Sequence, residues 1–179
     1  MIILVDQDGP LANFEQGFLD GWRFQFSDEL FIPLEERKTF YLRDQYQKHL
    51  REKVESIYFA PGFYKNLPPV DGAIEAIKEL VALGYEVMIC TSPLGRYENC
   101  ILEKYQWIEK YLGEDFTKKI ILTKDKTLIR GDILIDDKPG VTGIFEPSWE
   151  HVIFDYPFNR PIIGKRRINW GNCKEILNL

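Results

Sequence analysis

Ile2-Ile3-Leu4-Val5-Asp6-Gln7-Asp8-Gly9-Pro10 decides the fold class. Four consecutive apolar residues, mostly β-branched, read as a strand buried on both faces, the pattern of a parallel sheet. The run stops at Asp6 and gives way to turn chemistry at Gly9-Pro10. The same punctuation recurs downstream. Residues 85–90 read as a strand followed by Thr91-Ser92-Pro93, and residues 119–122 as a strand followed by Thr123-Lys124-Asp125-Lys126. Residues 133–135 lead into Asp136-Asp137, and residues 151–154 read as one more strand. Helical patterns lie between them. Residues 70–83 place Ala73, Ile74, Ile77, Leu80 and Val81 on one face, with Gly84 just past the end. Residues 97–112 end at Gly113, and residues 170–177 form a closing helix. Strands alternating with helices predict an α/β fold, a doubly wound parallel sheet.

Residues 14–69 break the alternation. They are aromatic and charged, with a mostly helical period at Phe14, Phe18, Trp22, Tyr46, Leu50, Val54 and Ile57, interrupted by Pro33. Ala60-Pro61-Gly62 and Pro68-Pro69 mark the return. The expected organisation is a core of residues 1–13 and 70–179 with an inserted helical cap of residues 14–69.

Composition narrows the functional classes. The chain has 179 residues, with 23 Lys plus Arg against 28 Asp plus Glu and a net charge of −5. An acidic chain has no global field for nucleic acid or an anionic membrane, so neither is an expected partner. Lys165-Arg166-Arg167 is short enough to be a solvated loop. Three cysteines without a C-x-x-C argue against a disulfide framework or zinc ribbon, and two histidines without H-E-x-x-H against a zinc hydrolase. The N-terminal apolar run is too short for a signal peptide, and no run approaches a membrane span. A soluble, cytoplasmic protein is expected.

Every polar cluster of interest follows a predicted strand. In open α/β sheets, ligands bind at the carboxyl ends of strands. Parallel strands would bring Asp6, Asp8, Thr91, Ser92, Lys124, Lys126, Asp136 and Asp137 to one edge. Clustered carboxylates repel unless a cation joins them, and hard oxygen ligands without histidine or thiolate suit Mg²⁺. Hydroxyls and an ammonium suit a phosphate. A carboxylate beside a metal-held phosphate can act as nucleophile, and a second one two residues on as general acid. Each piece also has an ordinary reading. D-x-D-G occurs in turns and calcium loops, Thr-Ser-Pro in plain loops, and Lys-Asp-Lys in solvated turns. Asp136-Asp137 after three apolar residues is harder to explain that way, because a buried acidic pair is costly without a cation or donors. The order and placement of all four clusters favour Mg²⁺-dependent phosphoryl transfer.

These clusters resemble the motifs of the haloacid dehalogenase-like (HAD) phosphohydrolases: V-D-Q-D-G-P-L-A at residues 5–12, C-T-S-P at 90–93, Lys126, and G-D-I-L-I-D-D at 131–137. The chain is more closely similar to the 5′(3′)-deoxyribonucleotidases within that group. That likeness adds L-T-K-D-K-T at residues 122–127, E-K-Y-Q-W-I-E-K-Y-L-G at 103–113 and P-S-W-E-H at 147–151. The resemblance implies a HAD-like, Rossmann-type core. It implies Asp6 as nucleophile and Asp8 as general acid, then base. It implies Mg²⁺ on the Asp6 carboxylate, the Asp8 backbone carbonyl and Asp137, with Asp136 orienting the metal waters or Lys126. Thr91, Ser92 and Lys126 would hold the phosphate. A nucleoside pocket would draw on Phe14, Phe40, Tyr41, Leu42 and Phe63 of the cap, with Leu94 and Lys124 of the core. Gln7 and Pro10 depart from the often apolar residues of the first motif, and Lys124 and Tyr41 stand where some relatives carry Arg and Trp.

The expected activity is hydrolysis of deoxyribonucleoside monophosphates, pyrimidine ones by resemblance, through an aspartyl-phosphate. Another small phosphate ester, such as a sugar phosphate, is the alternative substrate. A nucleotide-binding protein without turnover is the alternative class. The sequence leaves the oligomeric state open, a homodimer included.

Overall fold

A computed structural model describes residues 1–178. β1 (Ile2–Val5) lies at the centre of the sheet because it has no polar side chain to present to solvent on either face. It pairs in parallel with β2 (Glu86–Thr91) on one side and with β4 (Ile133–Asp136) on the other. β3 (Ile120–Leu122), β5 (Glu150–Phe154) and β6 (Arg167–Ile168) complete a six-stranded, wholly parallel sheet in the order β3-β2-β1-β4-β5-β6. The register sets Val5 beside Ile89 and Ile135, so β4 runs one residue and β2 two residues past the end of β1. The polar residues that follow all three therefore meet at one sheet edge.

Period-2 alternation divides the strand residues between two layers. Ile3, Val5, Val87, Ile89, Ile133, Ile135 and Val152 pack beneath α4 (Ala73–Ala82), α5 (Cys100–Leu112) and α7 (Cys173–Leu177). Leu4, Cys90 and Leu134 face the other way, onto Trp149 with Ile129 and Val141. A four-residue helix, α6 (Glu114–Thr117), leads into β3. This is the parallel α/β sheet expected from the sequence.

Between β1 and α4 the chain builds a further apolar cluster. α1 (Phe14–Gln25), α2 (Leu42–Gln45) and α3 (Arg51–Tyr58) bring Phe18, Trp22, Leu42, Tyr46, Val54, Ile57 and Tyr58 together. Asn13 caps α1, its side chain accepting from the Gln16 amide at 3.0 Å. Two helical glycines allow close packing. A Cβ on Gly17 would come 2.2 Å from Leu67, and one on Gly21 would come 2.8 Å from Ile57. The segment is less helical than its periodicity suggests, since residues 26–41 are irregular apart from a 3₁₀ turn at Leu34–Glu36.

Three local expectations are corrected. α4 begins at Ala73 rather than residue 70, because residues 69–72 serve another purpose. The Val70 amide donates to Leu11 at 2.8 Å, Pro69 bridges to Ala12, and Gly72 takes a left-handed turn. The α4 face uses Ala76, with Val81 left 38% exposed. Arg166 and Arg167 are not a solvated loop. Arg167 opens β6 and donates to Asp155, Asn159 and Ile162, while Arg166 pairs with Glu150 at 2.6 Å. No helix among the described residues is long and apolar enough to cross a membrane.

Candidate active site

The loop after β1 is built to present its carboxylates. The Asp6 amide donates to Ile135 at 2.9 Å, and the Ala12 amide returns to the Gln7 carbonyl at 2.7 Å. Gly9 has φ +97°, and a Cβ there would lie 2.4 Å from Asp137 Oδ2. Only glycine meets both the conformation and the close approach. The Gly9 carbonyl is held by Tyr156 Oη at 3.0 Å, and the Pro10 carbonyl by Trp170 Nε1 at 2.6 Å.

Asp6, Asp136 and Asp137 converge, each offering an oxygen within 4.8 Å of the others. Lys126 Nζ lies 2.6 Å from Asp136 Oδ2 and 2.9 Å from Asp6 Oδ1. The first contact is a directed hydrogen bond, and the second pairs the same ammonium with Asp6. Burial disfavours the Lys126 ammonium, but Asp136 and then Asp6 outweigh it and hold the group charged. Asp136 has both oxygens engaged, since Oδ1 accepts from the Lys138 amide at 2.8 Å. Asp137 has no such relief. Burial, then Asp136 and Asp6, push its carboxyl well above the usual range. Burial also raises Asp6, with Lys126 opposing. Three hard oxygen donors sharing one small volume and a single ammonium fit a divalent cation of the Mg²⁺ type.

Asp8 stands apart from this cluster. Its Oδ2 accepts from Lys104 Nζ at 2.6 Å, and the same ammonium donates to Thr91 Oγ1 at 2.9 Å. Lys104 is fully buried on α5, with its ammonium 5.3 Å from the Tyr64 ring centre. Burial raises the Asp8 carboxyl and Lys104 opposes it. Asp8 Oδ1 and Tyr64 Oη are buried without partners, and both residues line the cavity.

The cavity has a volume of about 470 Å³, within the ~300–1,000 Å³ of small-molecule sites. The carboxylates and Lys126 form its floor with Ser92 beside them. Phe14, Phe40, Tyr41, Leu42, Leu94 and Lys124 line its walls, with Tyr58, Phe59 and Phe158 added. Two expected residues stand back from it. Phe63 packs edge-on behind Phe14, at 5.3 Å between ring centres. The Thr91 side chain is buried, with its hydroxyl turned to Lys104. Lys124 is exposed and donates to the Pro93 carbonyl in the loop after the neighbouring strand.

Sequence reasoning assigned no role to Lys104, Glu103, Asn159 or Glu15. The first two carried a visible signal. Cys100, Glu103, Lys104, Trp107 and Ile108 form the inward stripe of α5, and two charges on such a stripe call for buried partners. Glu103 accepts from the Gly62 and Tyr64 amides at 2.5 and 3.0 Å, anchoring the chain as it returns to the sheet. Asn159, fully buried, donates to the backbone carbonyl of Asp137 at 2.8 Å. Its position follows only from the fold.

A family model described as "5′ nucleotidase, deoxy (Pyrimidine), cytosolic type C protein" matches residues 1–179. A protein of Bordetella pertussis is 51% identical over 177 residues, spanning 99% of this chain and 95% of its own length. The human cytosolic-type 5′(3′)-deoxyribonucleotidase is 47% identical over 186 residues, spanning 98% of this chain and 92% of its own length. Among solved structures, a HAD family hydrolase from Deinococcus radiodurans R1 with bound phosphate and sodium superposes with a TM-score of 0.60. It covers 98% of this chain and 94% of that one at 13% identity, a likeness of fold.

Proposed function

Since the chain belongs to the family of 5′ nucleotidases, deoxy (pyrimidine), cytosolic type C, and is on that footing a phosphoric monoester hydrolase, we propose that it hydrolyses deoxyribonucleoside monophosphates to deoxynucleoside and phosphate. The observation that carries this reading is the juxtaposition of two things. Asp6, Asp136 and Asp137 gather beside Lys126 on the floor of a cavity, and aromatic side chains form its walls. The first suits a metal-held phosphate and the second a nucleobase. A pyrimidine preference rests on the family description, and residues 14–69 act as a cap over a core of residues 1–13 and 70–179. The cysteines are free and buried, in keeping with a cytoplasmic setting.

Asp6, Asp137 and the Asp8 backbone carbonyl would hold Mg²⁺, with Asp136 tied to Lys126 in support. Bound there, the ion neutralises charge on the phosphoryl oxygens and on the carboxylates around them. An Asp6 carboxylate oxygen attacks phosphorus, the bond from phosphorus to the nucleoside oxygen breaks, and an aspartyl-phosphate forms. The Asp8 carboxyl gives its proton to the departing oxygen, a role favoured by burial, which raises its hold on the proton against the opposing Lys104. Ionised Asp8 then takes a proton from water, whose oxygen attacks the same phosphorus and frees Asp6. Lys126 and Ser92 contact the phosphate oxygens. Thr91 acts from behind, through Lys104, on the placement of Asp8. Phe14, Phe40, Tyr41, Leu42 and Leu94 enclose the nucleoside, with Lys124 at the rim and Phe63 backing Phe14.

Phosphate release from a panel of dUMP, dTMP, dCMP, dAMP, dGMP, UMP, 3′-dUMP, glucose 6-phosphate and phosphoglycolate tests this, each with Mg²⁺ and with EDTA. Mg²⁺-dependent release from deoxynucleotides in preference to the others is expected. Release from the sugar phosphate or phosphoglycolate alone would discard the nucleoside pocket, and equal release with EDTA would discard the metal.

A further inference from the structure

We infer that Arg37 is a positioning residue for substrate selection. Its buried guanidinium fixes the loop carrying Phe40, Tyr41 and Leu42 over the catalytic floor without touching the reacting atoms. The inference rests on the nucleotidase reading and deepens it.

Arg37 has a side chain only 1% exposed, rare for a group so costly to desolvate. Its two terminal nitrogens are engaged, while Nε is buried without a partner. Nη1 pairs with Glu15 on α1, which lines the cavity. Nη2 donates back to the carbonyls of Thr39 at 3.0 Å and Phe40 at 3.3 Å. The guanidinium carbon lies 5.4 Å from the centre of the Phe158 ring, which lines the cavity. One planar fork thus joins three bodies: α1, the loop's own backbone, and the 157–159 turn that also holds the Asp137 carbonyl through Asn159.

The loop needs such a clamp. From the 3₁₀ turn at Leu34–Glu36 to α2 it has no strand or helix ladder of its own. Its second tie is the Gln45 side chain, whose Oε1 accepts from the Lys38 and Thr39 amides at 2.7 and 3.2 Å. Between these ties, the loop and the first residue of α2 present Phe40, Tyr41 and Leu42 to the cavity, with Phe40 edge-on to Phe158 at 5.9 Å. Lysine can replace the charge but not the fork that serves Glu15 and two carbonyls together.

The test compares dUMP with p-nitrophenyl phosphate, whose small ring does not need the full cap wall, using the whole chain with Mg²⁺. Arg37→Lys should raise KM for dUMP by about tenfold or more while kcat/KM for the aryl ester changes by less than about threefold. Gln45→Ala should move the same ratio in the same direction by a smaller factor, and it carries the test if Arg37→Lys does not yield folded protein. Equal losses on both substrates, or no change on either, would overturn the positioning role. A wild-type chain with no preference for dUMP over the aryl ester would overturn the nucleotidase reading, and this inference with it.

Discussion

Asp6 and Asp8 follow the same strand, and the structure gives them different surroundings. Asp6 shares a volume with two more carboxylates and receives charge from Lys126. Asp8 has turned to Lys104, with Thr91 as the ammonium's other partner. Two carboxylates separated in this way can divide nucleophilic and acid–base work. Asp6→Asn removes the proposed attacking carboxylate at nearly constant volume. It should cut kcat by more than about a thousandfold with the fold intact, and a variant within tenfold of wild type would end the nucleophile assignment. Lys104→Met keeps the buried stem and removes the ammonium. Asp8 then has no partner to fix its direction, so kcat should fall about 10–100-fold while KM for the nucleotide stays within about threefold. Steady-state kinetics at one pH decide it. A rise in KM with unchanged kcat would place Lys104 in substrate binding instead.

Among the elements, the loop that presents Phe40 and Tyr41 is the one most open to change. Tyr41 is 59% exposed and meets Phe40 edge-on at 5.1 Å, so its removal leaves no core cavity. Tyr41→Ala should therefore leave Tm within about 2 °C, yet raise KM for nucleotides far more than for a generic aryl phosphate. Equal effects on both substrates would remove Tyr41 from the nucleoside pocket. This loop is also where the sequence was least legible. β1 through β5 could be read because each is a short apolar run closed by turn residues, and the parallel register brings the four polar clusters that follow β1–β4 to one edge. β6 could not, because the paired residues Arg167 and Ile168 are too few to show a period. Residues 26–41 show no apolar period and satisfy their backbone through turns and side chains such as Arg37 and Gln45. At the site, Asp6, Asp136 and Lys126 could be read from strand ends. Lys104 could not be assigned, since its partner Asp8 lies 96 positions away in the chain. The family resemblance puts Phe63 in the pocket wall, and a likeness of sequence does not distinguish a wall from the side chain packed behind it.

For the molecule as a whole, the site is a strain on the fold. The ends of β1 and β4 bring oxygens of Asp6, Asp136 and Asp137 within 4.8 Å of one another at the sheet edge, where burial strips much of their water and a single ammonium offsets part of the charge. Gly9 permits the loop to close onto Asp137, and Asn159 holds the Asp137 backbone from the other side. On the proposed function, a bound cation would relieve this cost. A ligand that binds only the folded state stabilises it by about 2.7 kcal/mol at a hundredfold excess over Kd. In a chain of this size that corresponds to roughly 5–10 °C in Tm. Mg²⁺ should therefore raise Tm by several degrees, and EDTA should reverse the rise. Asp137→Asn separates the two effects. It removes one of the crowded charges, so the metal-free variant should melt higher than metal-free wild type. It also removes a ligand, so added Mg²⁺ should shift it by less than about 2 °C. Thermal melts of the two proteins, each with Mg²⁺ and with EDTA, give all four values. A variant that melts lower without metal would mean that Asp137 contributes more through its contacts than it costs through its charge. A variant that still responds fully to Mg²⁺ would place the ion elsewhere.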